Sequence, residues 1–373
     1  MRPALIFAAC LAAAVAAVYF RQVEPTGLPG RPAARSEPAP TPSQKPASAP
    51  IAVAVKPAGP TCRAIAPPPI EWRLQRPPDT AAGTLLACGI TDDLVAALAS
   101  ADFVLLGETH DNSDHHRAQA LLIGLAQPAP RSPAVVMEQI TASEAPALAE
   151  LYRDAENYPP KPAALGEALR FEERGWPEWT SYAPIAEITH RLGGRLIAGD
   201  LPRDVYRAIG QQGEAAVLPA DRQRLGLDAP WPPALSHALA QELKQDHCDL
   251  LPEPALPRMQ LVQRVRDATL ADAMLAASAS GRVVLIAGNG HVRSDRGVPW
   301  YLAVRAPEKR VVSILLIEAD APATNPLALV PTSPDGKPAA DFAWLTPKAD
   351  REDPCEGLKR QMRKPRATPG AAN

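Results

Sequence analysis

Short unbroken apolar runs alternate along this chain with stretches in which apolar residues return every three or four positions. Phe103 to Leu106, Ala134 to Met137, Arg195 to Ala198, Arg282 to Ala287 and Arg310 to Ile317 are the runs, and their length and β-branched content predict strands buried on both faces. Between the first two, Ala118, Leu121, Leu122 and Leu125 recur with helical spacing, so a helix from about His115 to Ala126, capped by Asp114, packs one face on a sheet. A mainly helical segment opens at Thr141, and a helix over Tyr182 to Leu192 leads into the third strand. A long helix opens near Pro254, with Leu261, Val265, Ala268 and Leu275 close to one face and Gln263, Arg266 and Asp267 elsewhere; Arg266 and Asp267 read as a surface ion pair. Another helix starts near Val298, and the run ending at Ile317 is expected to be the final strand. Strands alternating with helices predict an α/β fold: a mainly parallel sheet flanked by helices. The Pro-rich stretch from Gly210 to Pro257 reads as a helical cap or insertion.

Outside this pattern the chain changes character. Arg2 precedes an apolar run from Ala4 to Phe20, which reads as an export signal or a retained membrane anchor, with Cys10 offering a faint lipoprotein-like alternative. Residues 21–69 are rich in Pro, Ala and Ser and hold almost no large apolar side chain, so they form a spacer without a core. The expected division is therefore 1–20 signal or anchor, 21–69 linker, 70–320 α/β domain with its fold starting near Trp72, and 321–373 a polar tail. Within that tail Phe342 to Leu345 is expected to dock on the domain near Cys355. Export to an oxidising compartment, periplasm or cell envelope, agrees with the cysteines: setting Cys10 aside leaves an even number, paired here as Cys62 with Cys88 and Cys248 with Cys355. The formal net charge of -2 and the lack of a long basic run give no footing for a nucleic-acid partner.

The candidate chemistry lies at strand ends. Gly107-Glu108-Thr109-His110 follows the first run and Gly288-Asn289-Gly290-His291 follows the fourth, while Glu138 ends the second. Glycine gives a tight exit from a strand, and a histidine three residues later supplies an imidazole beyond the carboxyl edge of the sheet, where α/β folds bind ligands. Three of the seven histidines, His110, His115 and His116, crowd one strand end. Two imidazoles and two carboxylates, His110, His291, Glu108 and Glu138, suit a divalent metal. With Glu108 and Glu138 as the catalytic pair, they equally suit acid-base work in a hydrolase. Asp200 and Arg203, at the end of the third strand, are further candidates for ligand binding. No HExxH helix and no GxSxG elbow occurs, which sets aside two common hydrolase designs.

Val104 to Asn112 with His115 and His116, and later Ile286 to Arg293, resemble the haem-binding uptake proteins of ChaN type in the Tiki superfamily. The resemblance runs from about Trp72 to Glu318. It implies a compact α/β domain exported in bacteria, with haem or iron as ligand, and Asn289, Arg293, His115 and His116 among the residues near it. It also implies an alternative: other branches of the superfamily use two GxxH motifs and a glutamate for metal-dependent proteolysis, and esterase-like members share the theme. Haem and a divalent metal ion therefore both stand as cofactors. A tetrapyrrole needs a wide aromatic or dimeric surface, for which Trp176, Trp179 and Tyr182 are the nearest aromatic group and a homodimer the nearest alternative.

Overall fold

The computed structural model of the protein describes residues 84–85, 90–126, 132–153, 160–319 and 326–363. The expected signal, the linker, the start near Trp72 and the Cys62–Cys88 pairing lie outside these residues. Within them the strands are β1 (Thr84–Leu85), β2 (Phe103–Leu106), β3 (Ala134–Thr141), β4 (Arg195–Asp200), β5 (Val283–Ile286), β6 (Val311–Ala319) and β7 (Phe342–Pro347). The helices are α1 (Asp92–Ser100), α2 (Ser113–Ala126), α3 (Ala145–Leu151), α4 (Pro162–Ala168), α5 (Trp179–Arg191), α6 (Arg203–Gln212), α7 (Pro219–Leu225), α8 (Pro233–Asp246), α9 (Leu256–Ala277), α10 (Asn289–Val292), α11 (Val298–Arg305) and α12 (Pro354–Arg363). None of these is long and apolar enough to cross a membrane.

The strands form one sheet in the order β1-β7-β6-β2-β5-β3-β4, with every neighbouring pair parallel. This is the expected fold class: a parallel sheet flanked by helices. Its centre is apolar on both sides because successive residues of a strand point to opposite faces. Val104 and Leu106 of β2, Val135 and Met137 of β3, and Val284 and Ile286 of β5 join the core under α2 and α5. Phe103, Leu105, Val136, Val283 and Leu285 join the core under α9 and α11. All of these strand residues are fully buried, and trimming one such leucine to alanine costs about 2–5 kcal/mol.

Two expectations change. The sheet does not end with β6: Phe342 to Leu345, expected as a docked piece of tail, is part of β7, which pairs with β6 from Ile314↔Phe342 to Ala319↔Pro347. The cap of α2 is Asn112 and not Asp114, since the Asn112 Oδ1 accepts from the backbone N–H groups of Asp114 (2.9 Å) and His115 (3.3 Å). Both residues are good cap formers, and the tertiary contacts of Asn112 decide between them: its Nδ2 donates to Glu318 Oε1 (2.7 Å) and to the Pro347 carbonyl (2.9 Å), the far ends of β6 and β7. The 210–257 stretch is helical as expected, and Leu239 and Leu243 of α8 pack with Leu256 at the start of α9. Cys248, just past α8, is bonded to Cys355 in α12.

Candidate functional site

β5 lies between β2 and β3, so the second histidine loop leaves the sheet flanked by the two strands that carry Glu108 and Glu138. Pairing of β3 with β5 stops at Met137↔Ile286, yet β3 runs on to Thr141. The residues beyond that pairing, Glu138 and Gln139, therefore stand over the end of β5. Strand alternation sends them to opposite sides: Gln139 turns to the α2–α5 side and reaches Glu108, while Glu138 turns to the α9 side and reaches Arg266.

Glu108 is 2 % exposed and accepts from four groups: Tyr182 Oη (2.5 Å) and Gln139 Nε2 (2.8 Å) on Oε1, Gln119 Nε2 (3.0 Å) on Oε2, and His110 Nδ1 at 2.7 Å from Oε1. Burial pushes its carboxyl up, but the His110 hydrogen bond, the neighbouring His116 ring and the Tyr182 hydroxyl outweigh it and hold the group at about 2. Tyr182 is pushed the other way, well above the usual phenol range, by burial and by Glu108 itself. His116 stacks on Tyr182 with ring centroids 3.7 Å apart, and burial holds its imidazole below the ordinary value.

On the other side, Glu138 is 3 % exposed and takes a hydrogen bond from Arg266 (2.7 Å) on Oε1 and one from the Gly288 backbone N–H (2.7 Å) on Oε2. Arg266 also donates to Asp200 through Nε (2.9 Å). His291 Nδ1 lies 2.6 Å from Asp267 Oδ1, and its Nε2 lies 3.5 Å from Glu138 Oε1; Gln263 completes its surroundings at 3.1 Å from Nδ1. His110 repeats the design: Nδ1 on Glu108, Nε2 3.9 Å from the same Glu138 Oε1. Burial opposes the charged form of His291, but Glu138 and Asp267 prevail and lift it to about 10; His110 is raised by Glu138 and Glu108 in the same way. Burial likewise opposes an ionised Glu138, yet His291, His110 and Arg266 keep it well below the carboxylate range. Arg266 thus pairs with Glu138 and Asp200, and the two imidazoles with Glu108 and with Asp267, whose carboxyl burial pushes up.

Each motif's glycine admits a side chain of the other motif. A Cβ on Gly107 would stand 2.1 Å from Asn289 Oδ1 and 2.9 Å from Val292 Cγ2, and one on Gly288 would stand 3.2 Å from His110 Cε1. The Asn289 N–H donates to the Glu108 carbonyl (3.0 Å) and its Nδ2 to the Leu316 carbonyl (2.7 Å), splinting the second loop to β2 and β6. Two imidazoles, each held at Nδ1 by a carboxylate and directed by Nε2 at one glutamate oxygen, can hold and pass a proton across a gap of a few ångström. Carboxylates behind the ring are also how metal-ligating histidines are oriented. As built, however, no group of three or more His, Cys, Asp or Glu among the described residues has metal-holding geometry.

Of the residues singled out from the sequence, Glu108, His110, Glu138 and His291 meet in this cluster, His116 borders it through Tyr182, and Asp200 enters through Arg266. Four lie apart. His115 is buried with Nδ1 accepting the Thr109 N–H (2.8 Å), which shapes the first loop, and burial lowers it to about 4. Asn289 is the splint just described. Arg293 turns to Asp295 (2.9 Å) and the Thr332 carbonyl (3.0 Å). Arg203 is exposed on α6, its Nε donating to the Tyr206 hydroxyl (3.2 Å).

The expected surface ion pair of Arg266 and Asp267 is overturned: Asp267 is 2 % exposed, the two residues point to different carboxylate and imidazole partners, and both serve the cluster. Their signal in the sequence was two adjacent charges inside a long helix with apolar residues on every side, Val262, Val265, Ala268, Leu270, Ala271 and Met274 all being buried. Gln119 and Gln139 were missed as cluster residues, neutral groups that carry no charge signature, and Tyr182, expected in an aromatic surface for haem, instead donates to Glu108.

The match of a sequence model places residues 94–302 in a family described as haem-binding uptake, Tiki superfamily, ChaN. Among solved structures the chain is similar to the ChaN of Campylobacter jejuni with cofacial haem, at 19% identity and a TM-score of 0.47 over 61% of this chain and 86% of that one. It is similar also to a type III effector, at 13% identity and a TM-score of 0.39 over 76% and 100%, and to an erythromycin esterase mutant in its open conformation, at 15% and 0.33 over 63% and 76%. No curated protein matches the chain.

Proposed function

The chain belongs to the ChaN-type haem-binding uptake family of the Tiki superfamily, and on that premise we propose that it is an exported protein that binds haem or its iron in the cell envelope. The observation that carries the reading is the extent of the match, which runs from α1 into α11 and takes in both histidine loops, Glu138 and α9. The apolar run at Ala4 to Phe20 and the Cys248–Cys355 bridge support a place outside the cytoplasm, with a membrane tether through the N-terminus and a homodimer that encloses the ligand as parts of the same proposal.

A haem iron needs an imidazole nitrogen or a phenolate open on one side. The cluster does not fit that need. Tyr182 is fully buried with its hydroxyl on Glu108, and His291 has Nδ1 on Asp267 and Nε2 toward Glu138; the His110 side chain is 30% exposed, but with Nδ1 on Glu108 and Nε2 3.9 Å from Glu138 the two carboxylates favour its charged form, which has no lone pair to give an iron. Haem binding is therefore proposed not to depend on the Tyr182 hydroxyl or the His110 imidazole. The test is a haem titration of the purified chain followed in the Soret band, in the wild type and in His110→Ala and Tyr182→Phe. Saturable binding near one haem per chain, kept in both variants, is the expected result. Absence of saturable binding in the wild type would sink the proposal.

One observation favours a second reading, metal-dependent hydrolysis: two carboxylate-backed imidazoles share Glu138 Oε1. The three atoms concerned, Nε2 of His110, Nε2 of His291 and Oε1 of Glu138, do not have metal-holding geometry as they stand and would have to shift to take an ion, while Glu108, its oxygens already filled, orients His110 from behind. A divalent ion there would supply a water of lowered pKa as nucleophile. Stoichiometric zinc or manganese in the purified chain, with ester or peptide hydrolysis lost in Glu138→Gln, would favour this reading over the first.

A further inference from the structure

The disulfide belongs to a closed ring of contacts that joins the two histidine loops from outside the sheet. Starting at the first loop, Asp111, next to His110, accepts from Arg351 Nε (2.7 Å), and Arg351 also pairs with Glu318 at the end of β6 through Nη1 (2.6 Å). Arg351 lies four residues before Cys355, which is bonded to Cys248 at the end of α8. From α8, Glu242 pairs with Arg296 and lies 3.7 Å from Arg293, both in the loop that follows His291. Glu242 Oε1 is also within 3.3 Å of the place a Cβ on Gly290 would take. Apart from the backbone segments 351–355 and 242–248, every link but one is ionic; the side chains of Arg351, Arg293 and Arg296 are 11%, 7% and 3% exposed, and their partners Asp111 and Glu242 31% and 26%. The single covalent cross-link is the one that a change of redox environment can cut.

We propose that the Cys248–Cys355 bridge is a redox-sensitive clasp for the histidine loops: intact, it holds the C-terminal arm and α8 together and thereby steadies both loops; reduced, it lets both loosen. The step is a two-electron exchange. A dithiol reductant breaks the S–S bond, each cysteine sulfur gains one electron and one proton, and the reductant leaves as its own disulfide. The inference does not depend on whether haem or a metal is bound, because the ring is built from the chain alone. It differs from a simple tail staple, which would tie residues 347–363 to the domain and leave the loop after His291 untouched.

The experiment is amide hydrogen exchange on the full chain, oxidised and after reduction with dithiothreitol, with far-UV circular dichroism to verify that the fold persists. Exchange is expected to rise about tenfold in 107–112, in 288–296 and in 347–351, and to return on re-oxidation. Arg351→Gln with the bridge intact should loosen 107–112 and not 288–296, separating the two arms of the ring. A rise confined to 347–363, no rise at all, or a uniform rise throughout the domain would each overturn the clasp. Should a Cys248→Ser/Cys355→Ser variant fail to fold, reversible reduction of the wild type decides the matter.

Discussion

Gly288 lies against the imidazole of His110, so that the second motif begins in the space beside the first motif's histidine. A Cβ on Gly288 would stand 3.2 Å from Cε1 and 3.3 Å from Nε2, and the reciprocal Cβ on Gly107 would stand 2.1 Å from Asn289 Oδ1. Contacts of the first kind need a shift of a few tenths of an ångström; those of the second need Asn289 and Val292 to move away together. Gly107→Ala is therefore expected to cost more than Gly288→Ala, about 1–3 kcal/mol, the usual penalty for overpacking. Urea unfolding of the two variants measures the order, and an equal or reversed cost would contradict the packing described.

Arg266 is the cation between two buried carboxylates, Glu138 and Asp200. Arg266→Met leaves both without it, and breaking a buried pair from one side costs about 3–5 kcal/mol. Adding Glu138→Gln removes one of the stranded charges, so the double variant should recover part of the loss. A double-mutant cycle on unfolding free energies reads the coupling, and strict additivity would place Arg266 outside the cluster's electrostatics.

The Tyr182 hydroxyl donates to an ionised carboxylate inside the core, a bond of the stronger kind, about 1.5–3 kcal/mol. Tyr182→Phe keeps the ring on His116 and loses that bond. Thermal unfolding should fall accordingly, with the Soret titration unchanged; the loss of haem binding in this variant would make the phenol an iron ligand after all.

Stability should peak near pH 6.5: His115, lowered to about 4, contributes fully only above 6.5, as Glu108, held at about 2, does above 4.5, and the two limbs are shown by Glu318 and His291. Burial and the opposing Arg351 hydrogen bonds leave the Glu318 carboxyl at about 2 against an ordinary 4.5, so its contribution is present above 4.5 and lost as pH falls through 2. His291 is raised to about 10 against an ordinary 6.5, so its contribution is complete below 6.5 and lost as pH rises through 10. Melting temperature against pH tests both limbs: Arg351→Gln should flatten the acid limb and His291→Asn the alkaline one.

The parts of this fold that were legible in the sequence are those in which one strand is covered on both faces. β2 and β5 appear as unbroken apolar runs because they sit in the middle of the sheet, and a glycine then a polar residue marks where each leaves it. β7 was not legible as a strand, since Phe342 to Leu345 is brief and set among polar and proline residues, and only its pairing with β6 gives it that role. Arg266 and Asp267 were misplaced because α9 is covered nearly all round, so helical periodicity offers no polar face against which a buried charge would stand out. The glutamines that complete Glu108 carry no pattern at all; their place is known only once β3 overshoots β5 and α2 crosses the end of β2.

That β2, β5 and β3 are neighbours has a consequence for the long stretch of chain between the two histidine motifs. The separation of the loops is measured across the sheet, in strand spacings of about 4.8 Å, and not along the backbone. The helices that bring no side chain to the cluster or the clasp, α3, α4 and α7, can lengthen or shorten while the two imidazoles keep their distance.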